Sequence, residues 1–209
     1  MRTLILPALA GLMFTSACIT PALAQPSAVV AENPTGTYKL DLSHASLTWK
    51  VSHFGLSQYV ARFTKFDATL DWNAENPTAS RVQVTIDPTS VATHFPEPER
   101  KDFDAELATG DNWINGDTHP TITFVSTSAA LTTETAGTVT GDLTFLGVTK
   151  PVTLNVTFNG GMVNPFSQKR VIGFAASGVI KRSDFGMSAY IPNIGDEVTL
   201  EIHAEFQKQ

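Results

Sequence analysis

Apolar and polar side chains alternate with a period of two along most of this chain. The pattern is clearest in GDLTFLGVTKPVTLNVTF, Gly141 to Phe158. Val139, Gly141, Leu143 and Phe145 share one face, and Val152, Leu154, Val156 and Phe158 do the same on the next run. This spacing predicts two half-buried strands in a hairpin. Gly147 suits the turn because it takes a positive φ at no steric cost, and Pro151 is expected to mark where the second strand begins. The same alternation predicts strands through Tyr38-Leu40-Leu42, Leu47 to His53, Phe66 to Trp72, Val82 to Ile86, Ile122 to Ser126, Ile172 to Ile180 and Val198 to Phe206. Asn73 to Pro77 and Asn159-Gly160-Gly161 carry turn signals between runs. The sum is about eight or nine strands, within ordinary boundary error.

One segment breaks the pattern. Val91 to Pro120 is long, and its charged centre predicts a short helix over Arg100 to Leu107. An antiparallel array of this length must deal with its edges. Closure into a barrel of about eight strands removes them and leaves room for a small ligand. A two-sheet sandwich satisfies the same periodicity. Ala68, Gly141, Ala176, Gly178 and Ala204 are small residues in apolar register. They fit either a hollow interior or a solid one in which larger neighbours fill the space.

The N-terminus reads as an export signal. Arg2 precedes an apolar run from Leu4 to Phe14, too short to span a bilayer, and Ala22-Leu23-Ala24 is a small-residue cleavage site. Residues 1–24 are therefore expected to be removed, 25–37 to form a loose leader and 38–209 to make one domain. A weaker signal competes, because Thr15-Ser16-Ala17-Cys18 resembles the run before a lipidated cysteine. Cys18 is the only cysteine. Once it leaves with the signal, no disulfide, Cys-ligated zinc or thiol nucleophile can form. Arg2 is the one charged residue of the signal, so its loss takes the formal charge from −6 to −7. That balance, with cations no more than paired, as at Lys169-Arg170 and Lys181-Arg182, argues against nucleic-acid binding. No second apolar run is long enough for a transmembrane helix.

Fragments spread from end to end carry a family resemblance. They are Ser52-His53-Phe54-Gly55, Phe63-Thr64-Lys65-Phe66-Asp67, and Trp113-Ile114-Asn115 before His119-Pro120. They continue with Gly141-Asp142-Leu143-Thr144, Gly147 to Val152, Lys181-Arg182-Ser183-Asp184-Phe185-Gly186 and Asp196-Glu197-Val198. In this order they resemble the YceI-like family of bacterial periplasmic lipid-binding proteins, over about Tyr38 to Lys208. The resemblance implies an all-β, antiparallel, lipocalin-like barrel. It also implies a carrier for long amphiphiles (polyisoprenoids, isoprenoid quinones or fatty amides), a periplasmic location, no catalysis and no cofactor beyond the bound lipid. His94 to Phe103 departs from the family pattern by being longer and richer in proline.

A buried isoprenoid tail needs an apolar lining. The strand registers offer Trp49, Val51, Phe66, Leu70, Phe124, Leu143, Phe145, Phe174 and Ile202, and the motifs of the resemblance add Trp113, Phe185 and Met187. Each also fits an ordinary core position. His53 continues the register of Trp49 and Val51, where it is expected to donate to a head group such as a quinone carbonyl or to be satisfied by a neighbour. Two other classes stand beside this one, a β-sandwich interaction module and a metal-dependent hydrolase. The five histidines are scattered, and Ser183, Asp184 and His203 suggest a triad by residue type alone, without a nucleophile elbow. Asp102 and Glu106 would share a helix face but lack the dense oxygen set of a calcium loop. Lys181 and Arg182 are expected to brace the last hairpin through ion pairs with Asp184 and Glu197. Dimerisation through a strand edge or the barrel mouth is left open.

Overall fold

Each alternating run needs a partner on both edges, and in the computed structural model, which describes residues 25–209, each finds one. The strands are β1 (Gly36–His53), β2 (Ser57–Phe63), β3 (Phe66–Trp72), β4 (Arg81–Ile86), β5 (Val91–Ala92), β6 (Ile122–Leu131), β7 (Ala136–Phe145), β8 (Val148–Val163), β9 (Arg170–Lys181) and β10 (Ile194–Lys208). All pairings are antiparallel. The order β1-β3-β4-β6-β7-β8-β9-β10 returns to β1, which pairs with β10 from Tyr38↔Lys208 to His53↔Ile194. This is a closed barrel of eight staves, and the sandwich alternative falls. β2 continues the line of β3 along the far half of β1, and β5 continues β4 along β2.

Three local readings of the sequence need correction. The predicted hairpin turn is tighter than Gly147 to Pro151: Phe145 pairs with Val148 across Leu146-Gly147, both at positive φ (51° and 73°). That is the two-residue turn whose twist matches the flanking strands, and Pro151 lies within β8 opposite Asp142. Asn159-Gly160-Gly161 does not end a strand. β8 runs through it with a register shift, and Gly161 exchanges backbone hydrogen bonds with Ser27. The leader 25–37 is accordingly docked where a loose segment was expected. Asn33 is fully buried, its carbonyl accepts from Trp72 Nε1 at 3.0 Å, and its side chain lies where a Cβ on Gly161 would fall. The leader thereby lies against one end of the barrel, called here the lower end. Residues 1–24, with the expected signal and Cys18, lie outside the described residues.

The predicted runs Tyr38–Leu42 and Leu47–His53 form one strand, β1, irregular between Asp41 and Ser46. Asp41 organises the irregularity by accepting from Ser43 Oγ and N, His44 Nδ1 (3.0 Å) and Gln207 Nε2 (2.7 Å). The Ser43 hydroxyl, then His44, hold its carboxyl at about 2, down from 3.8. A depressed carboxylate stabilises the fold above its unfolded value, and that contribution is lost as pH falls through the folded value. The bond to Asp41 raises His44, whose smaller contribution is full below 6.5 and is lost as pH rises through its folded value. Thermal midpoints between pH 3.8 and about 2 should fall more steeply for the wild type than for Asp41→Asn. Parallel acid limbs would contradict this assignment.

The helix α1 (Phe103–Thr109) starts later than the predicted Arg100, because the Asp102 carboxylate caps it by accepting from Ala105 N at 2.9 Å. Asp104 ties it to the end of β5 by accepting from Thr93 N, and Leu107 and Ala108 pack on Ala61, Val91 and Ile114. α1 thus sits over the upper end of the barrel, opposite the leader. Among the described residues, no helix is long and apolar enough to cross a membrane.

Candidate functional site

The inward faces of the staves leave space along the barrel axis. An upper cavity of about 740 Å³ opens beneath α1 and the ends of β1, β7 and β9. A lower cavity of about 200 Å³ lies towards the docked leader, with Val30, Trp72, Phe158 and Phe206 in its wall. Leu47, Val84, Phe124, Leu154 and Ile202 border both, forming a waist between them. Small residues play two different parts here. Ala68, Ala176 and Ala204 border the lower cavity and leave it open. A Cβ on Gly141 would fall 2.5 Å from the Phe124 ring, and one on Gly178 would fall 2.6 Å from Leu154 Cδ2. Those two glycines are therefore filled from the neighbouring strands, and they let waist residues lie against the barrel wall.

Of the residues singled out from sequence, Trp49, Val51, His53, Trp113, Leu143, Phe145 and Met187 line the upper cavity. Phe66, Leu70 and Phe174 line the lower one, and Phe124 and Ile202 stand at the waist. Phe185 lines neither. It is 2% exposed, packed in the central core with its ring 5.8 Å from that of Phe145, so it supports a lining residue from behind. His53 is exposed at the mouth, edge-on to Phe54 with ring centroids 4.7 Å apart. The upper lining also includes Phe54, Tyr59, Phe95, Phe103, Tyr190 and Asn193. Four of these sit in turns and loops, where no period marks an inward face.

Polar groups gather at the upper mouth. Arg100 pairs with Glu97 and Lys101 with Glu106, each at 2.7 Å. Arg182 is the deepest charge at 3% exposed, and it forms none of the ion pairs expected for it. Its guanidinium donates to the carbonyls of Gly195 (2.8 Å), Met187 (3.1 Å), Ala189 (2.8 Å) and Ile194 (2.9 Å). Burial pulls the group down from its usual range, and Asp196 opposes that shift. Asp196 in turn accepts from Ser183 N and Oγ, which holds its carboxyl low. His203 lies exposed on β10 at the level of Ala175, whereas Glu197 stands opposite Lys181 at the other end of the ladder, where Lys181 also forms none of the ion pairs expected for it. The Ser183, Asp184 and His203 combination therefore does not assemble. Among the described residues, no cluster of three His, Cys, Asp or Glu side chains is placed to hold a metal. Trp49 Nε1, in the upper wall, is buried without a hydrogen-bond partner, a state that costs about 1–3 kcal/mol.

The pattern extends beyond this chain. Residues 38–206 match the model of the YceI-like domain. The chain belongs to the YceI-like family. It is 36% identical over 203 residues to Protein YceI of Shigella flexneri, covering 96% of this chain and 97% of that one. In fold, this YceI-like barrel is similar to the crystal structure of Burkholderia cenocepacia BcnA (TM-score 0.69, 24% identity), over 79% of this chain and 98% of that one. It is also similar to a polyisoprenoid binding domain from Saccharophagus degradans (TM-score 0.59, 18% identity), over 84% of this chain and all of that one. The segment His94 to Phe103 contributes Phe95, Arg100, Lys101 and Phe103 to the upper wall. Phe95 and Phe103 pack together there with ring centroids 5.6 Å apart.

Proposed function

We propose that the protein is a periplasmic carrier that holds the tail of a long-chain isoprenoid (a polyprenyl chain or isoprenoid quinone) or a similar amphiphile inside its barrel, without catalysing a reaction. The observation that carries this reading is the pair of apolar cavities end to end through a closed barrel. At about 30 Å³ for each methylene-sized group, the liquid share of a water molecule, the upper cavity takes about 25 groups and the lower about seven more, so a nine-unit prenyl alcohol such as solanesol, with about 45 carbons, fills both and leaves about a dozen carbons at the head-group end outside the mouth. Apolar transfer at about 0.8 kcal/mol per CH₂ gives such a tail ample affinity without a polar anchor, even after association costs. The description of the S. degradans neighbour as polyisoprenoid-binding supports the same class of ligand. The export signal read in residues 1–24 supports the compartment. Uptake is reversible partition of the tail, with residues 93–121 as a cover over the mouth.

Native mass spectrometry with organic extraction of protein purified from a periplasmic fraction tests the reading. A stoichiometric prenyl lipid or quinone is the expected result. Protein that stays lipid-free after incubation with solanesol would overturn it. His53, at the mouth, gives a finer test. His53→Ala should weaken a prenyl quinone several-fold while leaving the parent prenyl alcohol within twofold, read by quenching of tryptophan fluorescence. Equal losses for both would remove His53 from head-group contact.

A further inference from the structure

Two tips project at the upper mouth: the turn between β1 and β2 and the connection between β9 and β10. Phe54 N donates to Asn193 O, so the tips are clipped side by side. They present Leu56 (88% exposed), Tyr190 (59%), Phe54 (56%) and Ile191 (38%). Residues 54–61 and 186–195 contain no Asp, Glu, Lys or Arg, in a chain that is 16% charged. Phe54 and Tyr190 both have backbones in the left-handed region, at φ 54° and 63°, a costly state for bulky side chains that tends to mark functional surfaces. The second tip is held from beneath by the Arg182 bonds to its carbonyls, and Tyr190 stacks on Trp113 at 5.4 Å. These apolar side chains therefore stand out from an anchored frame.

We propose that this uncharged crown is a docking surface for a lipid bilayer, through which a tail passes between membrane and barrel without crossing water. The inference rests on the lipid-binding reading for what is carried, and on the tips alone for the docking. Phe54 and Tyr190 each face outward and also line the upper cavity, so the exposed apolar surface is continuous with the chamber behind it. A whole aromatic side chain offers about 150–250 Å². Four partly exposed residues on two narrow turns thus fall short of the ~800 Å² per partner that a stable protein interface buries. Aromatic and aliphatic side chains without charge match the interfacial zone of a bilayer, where a ring sits at head-group depth.

Leu56 and Ile191 do not line the cavity, so Leu56→Ser and Leu56→Ser/Ile191→Ser probe docking without touching the chamber. Flotation with phosphatidylcholine vesicles containing solanesol reads docking, and solanesol transfer into the protein reads delivery. The double variant should float at least fivefold less and take up solanesol from vesicles at least tenfold more slowly. It should reach wild-type occupancy when solanesol is offered in detergent micelles. Flotation is read whether or not lipid is taken up. Flotation that depends on Leu56 in a protein that never fills would support the crown while counting against the carrier. Wild-type flotation and transfer rates in Leu56→Ser/Ile191→Ser would overturn the crown, as would light scattering showing Leu56-dependent pairing of two copies.

Discussion

Arg182→Ala is expected to destabilise the fold by about 3–5 kcal/mol, because a buried charge that saturates several partners leaves them all unmatched when it is removed. Four backbone carbonyls of residues 187–195 converge on this one guanidinium at 2.8 to 3.1 Å. Its planar fork supplies donors in fixed directions, so Arg182→Lys, with a compact ammonium, should recover less than half of the loss. Urea unfolding of the three proteins gives the comparison. The same loop positions Met187 and Tyr190 at the upper cavity, so ligand affinity should fall with stability. A loss below about 1 kcal/mol, the size of one ordinary hydrogen bond, would mean that the loop holds itself without the arginine.

Ala176→Phe should produce the largest change in ligand choice. Ala176 lies in β9 between Val156 and Ile202 and borders the lower cavity. A phenyl ring there occupies the space assigned to the last six or seven carbons of the tail. At about 0.8 kcal/mol per buried CH₂, a long prenyl alcohol such as solanesol loses about 5 kcal/mol, more than a thousandfold in affinity. Farnesol, whose three isoprene units fit in the upper cavity, should bind as it does to the wild type and so reports that the barrel is intact. Titrations of both alcohols by tryptophan quenching make the measurement. Equal affinity of the variant and the wild type for solanesol would show that the tail stops above the waist.

The strands were legible because alternation is imposed by the barrel itself: one face of each stave meets the interior and the other meets water. Closure was not legible, since a sandwich demands the same alternation, and only the β1–β10 pairing decides it. The small residues show a subtler limit. Ala176 and Gly178 read alike in sequence, yet one borders open space and the other is filled by Leu154 from β8. Which neighbour fills a gap depends on cross-strand register, which a single strand's pattern does not encode. The mouth was the hardest part. Phe54, Tyr190 and Asn193 lie in non-periodic turns. Arg182 stood inside a recognised motif, but its type suggested ion pairs when its work is to hold carbonyls. The docked leader escaped notice because Ser27 and Asn33 act through backbone and amide bonds that a polar, proline-containing stretch does not advertise.

Crystals grown with a prenyl alcohol carrying bromine at its hydrocarbon end, and measured at the bromine edge, test the central claim most directly. Passage of the tail through the waist predicts one anomalous peak in the lower cavity, near Trp72, Phe158 and Ala204. Bromine on the outer surface of the barrel, with the interior unchanged, would contradict the account.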